Sequence, residues 1–168
     1  MQSESARAAS AAEARFRIDA PNSRPRRIKV IALDRASEAV VKSLAETEWQ
    51  GASFLTIRRE APRRGENFSM QGWLADLAGG AKDLVDEIAA ADQVVMVATA
   101  GENAEAASLI GEAASLKRVM TTALVICPQQ TADEALSQTL MRLRPWSLML
   151  VVSAAEDYIA DMLIALRA

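Results

Sequence analysis

Short apolar runs alternate with amphipathic stretches from residue 28 to the end of the chain. Ile28–Leu33, Ser53–Ile57, Val94–Thr99, Thr122–Cys127 and Leu148–Ser153 are runs of five or six residues, rich in β-branched side chains. Such runs are too short for buried helices and predict strands. Between them, Ser37–Ala45, Glu102–Arg118, Ala132–Leu143 and Glu156–Arg167 space apolar residues three and four apart, the signature of helices that bury one face. Ser37 reads as the N-cap of the first. Phe68-Ser69-Met70 reads as a short edge strand. Trp73–Ala91 reads as helical, with Gly79-Gly80 dividing a short helix from a longer one at Lys82–Ala91. This alternation predicts an α/β fold: a three-layer, Rossmann-like, doubly wound and mainly parallel sheet of about six strands, with helices on both faces.

In such a sheet the carboxyl ends of the strands form the ligand-binding edge, because helix amino ends and unpaired backbone N–H groups converge there. Three places in the sequence fall on that edge. Asp34, Arg35 and Ala36 follow the first strand. Thr99, Ala100, Gly101, Glu102, Asn103 and Glu105 follow the fourth. Cys127 ends the fifth. The central junction carries one glycine and two carboxylates where a phosphate cradle needs several glycines. Asp34 is a lone strand-end acid, and its simplest role is to bind nearby amides at a helix start, or Arg35. Cys127 is expected to be structural. A reactive thiol there would need a lysine, an arginine or a helix dipole to activate it.

Composition narrows the chemistry further. The chain has 168 residues, 51% of them hydrophobic, enough for one domain with a real core. Residues 28–168 are read as that domain. Residues 1–27 are a flexible, basic, Ala- and Arg-rich arm in which six arginines meet three acids, giving +3 and leaving −6 on the body. Pro21-Asn22-Ser23-Arg24-Pro25 serves as its linker. Arg58–Asn67 reads as a surface loop holding Arg58, Arg59, Arg63 and Arg64. It is either a solvated loop or a contact for an anion or partner.

An overall charge of −3 gives no field for nucleic acid or an anionic membrane. No apolar stretch approaches the roughly 18–20 residues that span a bilayer, and no secretory signal opens the chain. Glu4 and Glu13 disfavour a transit peptide, so a cytoplasmic protein is expected. A single cysteine excludes an internal disulfide. There is no histidine, which removes Ser-His and Cys-His pairs and histidine-ligated metals. No catalytic residue, metal ligand or cofactor is assigned. Trp49, Trp73 and Trp146 read as core cover rather than stacking platforms.

Taken in order, these segments resemble the nucleotide-binding domain of the FtsZ/tubulin superfamily of GTPases. Ile28-Lys29-Val30-Ile31-Ala32-Leu33-Asp34-Arg35-Ala36-Ser37-Glu38-Ala39-Val40 is similar to that family's opening I-K-V-I-G-V-G-G-G-G-x-N-A-V. Gln50–Leu55 resembles its second strand. Ile88–Gly101 resembles the approach to its T-A-G-M-G-G-G-T-G-T-G loop, and Ala106–Val125 and Ala132–Val152 continue in comparable register.

The departures fall on the chemistry. The first glycines are replaced by Asp34-Arg35-Ala36, the family's asparagine by Glu38, and the signature glycines by Glu102-Asn103-Ala104-Glu105-Ala106-Ala107. A carboxylate beside a triphosphate is repulsive by on the order of 4 kcal/mol even at surface-like screening. The resemblance therefore implies a bacterial-type, FtsZ-like domain that has lost GTP binding. Hydrolysis in the family needs a second domain and a neighbour's acidic loop. Glu156, Asp157 and Asp161 read instead as favourable helix charges, and family-style filaments are not expected.

Two functions follow. The first is a non-catalytic interaction or regulatory module, meeting a protein partner through the arm or the Arg58–Arg64 loop, with homo-oligomerisation left open. The second is a small-ligand- or cofactor-binding domain or enzyme with a rebuilt acidic crevice between the first and fourth strands, in which Asp34, Glu102, Asn103 and Glu105 recognise a cationic or hydroxyl-rich small molecule or a metal–ligand complex.

Overall fold

The computed structural model describes residues 25–57, 73–154 and 157–168. The Phe68–Met70 strand, the Arg58–Arg64 loop and most of the arm lie outside the described residues. Seven strands form one sheet: β1 (Ile28–Ala32), β2 (Ala52–Ile57), β3 (Leu74–Asp76), β4 (Ala81–Lys82), β5 (Gln93–Thr99), β6 (Met120–Ile126) and β7 (Met149–Ser153). Their spatial order is β4-β3-β2-β1-β5-β6-β7. The chain thus builds outward from β1 in one direction, then crosses back to lay β5 against the other side of β1. Every pairing from β2 to β7 through β1, β5 and β6 is parallel.

Two expectations are corrected here. The sheet has seven strands rather than about six, and it is mixed, because β3 runs antiparallel to β2 and β4 antiparallel to β3. β3 occupies the stretch read as a short helix before Gly79-Gly80, and β4 follows the glycines and takes Lys82 from the start of the longer one. Gly79 adopts φ +86°, a conformation that suits a tight turn and not a helix. The Asp76 carboxylate accepts from the Gly80 N–H at 2.7 Å, which closes the hairpin.

Among the described residues, four α-helices connect strands, α1 (Arg35–Ala45), α2 (Leu84–Ala89), α3 (Ala106–Lys117) and α4 (Asp133–Leu143), and α5 (Asp157–Ala165) follows β7. The helix expected over Lys82–Ala91 is shortened to α2, because Asp83 caps it through Val85 and Asp86 N–H. The cap of α1 is Asp34 and not Ser37, which sits one turn inside.

Side-chain alternation along the strands divides the core in two. Ile31, Leu33, Val94, Met96 and Ala98 face a cluster with Leu84 and Ile88 of α2, Ile110 of α3 and Leu143 of α4. Ile28, Val30, Ala32, Val95 and Val97 face the other, with Val40 and Val41 of α1 and Ile159 and Leu163 of α5. Helices therefore cover both faces. Trp73 is buried, while Trp49 and Trp146 are part-buried against the two clusters. Arg26 and Arg27, counted with the arm by composition, are bound to the body. Arg26 N–H donates to Arg167 O at 2.9 Å, and Arg27 pairs with Asp92 at 3.1 Å.

Candidate functional site

The direction of chain growth reverses between β1 and β5, so their carboxyl ends define the crevice where helix amino ends converge. Ala32 pairs with Val97 and Thr99 with Ile126. The ends of β1, β5 and β6 thus lie along one edge, which brings Asp34, Thr99 and Cys127 onto it.

Asp34 is in extended backbone conformation, φ −135° and ψ 172°, and its carboxylate joins two elements. Oδ1 accepts the Ser37 N–H at 2.8 Å, and Oδ2 accepts the Thr99 N–H at 2.7 Å. The Asp34 N–H donates to Ser37 Oγ at 3.1 Å, which completes a capping box. The Ser37 hydroxyl donates in turn to Asp34 O at 3.0 Å. Ser37 is fully buried, so this polar group is satisfied locally. Asp34 is thus both the cap of α1 and a clamp between the loops after β1 and β5.

The Thr99–Glu105 loop is held in the same way. Ala100 N–H donates to Ile126 O at 2.8 Å. Gly101, at φ +88°, turns the chain and donates its N–H to Thr139 Oγ1 at 3.0 Å. Thr139 lies on α4, is 1% exposed, and donates its own hydroxyl to Ala135 O at 3.1 Å. Asn103 Oδ1 accepts the Glu105 N–H at 2.9 Å, which organises the start of α3 in place of the absent side-chain cap at Glu105. Thr99 Oγ1 is buried without a hydrogen-bond partner.

The backbone N–H groups of Ser37, Thr99, Ala100 and Gly101 all have acceptors within the protein. These are the positions from which a phosphate cradle would be built. Of the sequence-predicted residues, Asp34 is joined to Thr99 across the two elements, while within the loop Glu102 N–H donates to Thr99 O at 3.0 Å and Glu105 N–H to Asn103 Oδ1. Arg35 and Ala36 are exposed on the first turn of α1, and Glu102, Asn103 and Glu105 are exposed on the loop. Cys127 is half-buried just past β6, its N–H bonded to Ser153 O at 2.8 Å. Among the described residues, no three His, Cys, Asp or Glu side chains are grouped to hold a metal ion.

Thr139 was not among the residues singled out from the sequence. Its signal is positional: it takes an inward place in the Leu136, Leu140, Leu143 stripe of α4, where a polar side chain needs a partner. A shallow cavity of about 540 Å³ lies at the opposite end of the sheet, lined by Trp49, Gln50, Ile164 and Arg167 among others. It has no part in the crevice. Compared with known proteins, the sequence matches no family model and no curated sequence.

Proposed function

We propose that this chain is a Rossmann-like domain of the FtsZ/tubulin type whose nucleotide site is closed from within, and which serves as a non-catalytic interaction or regulatory module in the cytoplasm. One observation carries this reading. The Asp34 carboxylate, an anion belonging to the chain itself, accepts from N–H groups in the first turn of α1 and at the end of β5, the two elements that flank the crevice. A bound phosphate would have to displace it and then sit beside its charge. The strand order, with its reversal between β1 and β5, supports the Rossmann-like part of the reading. With Arg26 and Arg27 held on the body, residues 1–25 keep four arginines against three acids, +1, which supports a weakly basic arm that contacts a partner.

The rebuilt acidic crevice draws less support. The Asp34 carboxylate and the Asn103 amide oxygen are both committed to backbone N–H groups, and Glu102 and Glu105 are exposed.

The test is calorimetric titration of the full chain with GTP and GDP, each with magnesium, alongside thermal melts. A ligand at 100 times its dissociation constant stabilises a fold by about 2.7 kcal/mol, so true binding is readily seen. No heat of binding and an unchanged melting temperature are expected. Saturable nucleotide binding overturns the proposal.

A further inference from the structure

Charge is segregated in the second half of the chain. Residues 113–132 and 135–155 contain Lys117, Arg118, Arg142 and Arg144 and no acid, although residues 28–168 together carry −6. The fold gathers these cations at one corner. α3 and α4 both run back from the crevice edge, so their carboxyl ends lie at the amino end of the sheet, beside the starts of β6 and β7. There Leu148 N–H donates to Thr121 O at 3.0 Å. Lys117, Arg118 and Arg144 are exposed, and none of them forms an ion pair among the described residues. Beside them Leu116 is 83% exposed, Leu148 80% and Met120 47%. Helix structure accounts for part of this. Lys117 and Arg142 lie in the last turns of α3 and α4, where a cation complements the helix dipole. Arg118 is different: it ends α3 in the left-handed region, φ +56°, where glycine is the usual residue and a side chain is strained. An arginine kept in strained backbone, with its guanidinium in solvent, points to a use outside the fold.

We propose that this corner docks the protein on an anionic lipid surface, with Leu116 and Leu148 entering the apolar layer and Lys117, Arg118 and Arg144 lying against the headgroup phosphates. Charge complementarity selects the occupant: cations around apolar side chains match a surface that is negative outside and apolar beneath. The exposure of the two leucines favours lipid over a protein partner. Side chains this exposed project from the surface, and a fluid layer accepts them wherever they stand, whereas a folded partner needs a matching pocket for each. The net charge of −3 averages over the segregation. Asp133 and Glu134 stand at the far end of α4, roughly 16 Å away by helix rise and beyond a screening length of about 8–10 Å. Glu112, one turn back from Leu116 on α3, leaves the corner cationic. This docking is independent of the closed nucleotide site.

The experiment is co-sedimentation of the full chain with two vesicle preparations: phosphatidylcholine alone, and phosphatidylcholine with about 30% phosphatidylglycerol to supply a negative surface potential. Saturable binding to the anionic vesicles alone is expected, and added salt should release it. Arg118→Gly should raise the melting temperature, because it relieves the left-handed strain, yet weaken binding about fivefold, the worth of one cation at such a surface. A purely structural arginine would not move stability and binding in opposite directions. Leu148→Gln should weaken binding about tenfold through lost apolar burial; Leu116→Gln serves if Leu148→Gln alters the circular dichroism spectrum. Absence of binding to anionic vesicles overturns the proposal, as does equal binding to neutral ones. Binding untouched by Arg118→Gly and the leucine variants also overturns it, since the contact then lies elsewhere on the chain. Capture of polyglutamate or duplex DNA in place of anionic vesicles does the same, because the corner then serves a soluble polyanion.

Discussion

Asp34 shows how much one side chain can hold. Its carboxylate satisfies the first turn of α1 and the end of β5 together, so removing it orphans donors on two elements. Asp34→Ala should destabilise the fold by about 1–3 kcal/mol, combining a lost helix cap with an unpaired buried N–H. Asp34→Asn should cost less, because the amide oxygen can keep one of the two bonds. Urea unfolding checks both; an Asp34→Ala chain as stable as the parent would show that the clamp contributes nothing. The sequence revealed Asp34 as a strand-end acid suited to nearby amides. It did not reveal that one of those amides is Thr99, 65 residues on, since only the pairing of β1 with β5 brings them together. Thr139 is the harder case. Its value lies in the Gly101 N–H, which is remote in sequence and marked only by a hydroxyl where the helix stripe calls for an apolar side chain.

At the scale of elements, strands with strong β-branched runs were legible and the hairpin was not. Trp73-Leu74-Ala75 is three apolar residues, too few to separate a period of two from one of 3.6. Gly79-Gly80 fits a helix break as well as a turn. Antiparallel pairing with β2 decides the matter, and that is tertiary information. The seating of α3 depends on another such fact. A Cβ built on Gly111 would lie 2.6 Å from Trp146 Cβ and 2.7 Å from Cε3 of its ring, so the glycine lets the turn after α4 approach the helix. Gly111→Ala gains helix propensity of up to about 1 kcal/mol. Overpacking against the indole costs about 1–3 kcal/mol. A net loss of stability is expected by denaturant titration, and a stabilised variant would show that Trp146 yields freely.

At the scale of the molecule, the described residues form a mixed seven-stranded sheet with both faces covered by helices, and its parallel centre followed from the alternation of strands and helices in the sequence. The count and the direction of the β3 and β4 edge did not, because edge strands are short and carry little pattern. One electrostatic tie spans the start of the described chain: Arg27 donates backbone N–H and guanidinium N–H groups to Asp92. The hydrogen bond from the Arg27 side chain holds Asp92 below the usual carboxylate range, with the Arg27 backbone N–H adding to it. A carboxylate depressed in the folded state stabilises at pH values above its unfolded pKa of about 4, and that contribution is lost as pH falls through the lower, folded value. Both groups are solvated, so salt should weaken the effect. Asp92→Asn should flatten the acid limb of the stability curve and leave the shape above pH 6 unchanged; an identical acid limb would remove Asp92 from the account. Finally, the clamp between α1 and β5 has a kinetic side. A tethered carboxylate is never diluted and re-forms its contacts whenever they open, whereas a free anion must arrive from solution each time. Raising the concentration of a free anion is therefore a weak way to take these N–H groups from Asp34, and shortening the tethered side chain is a strong one.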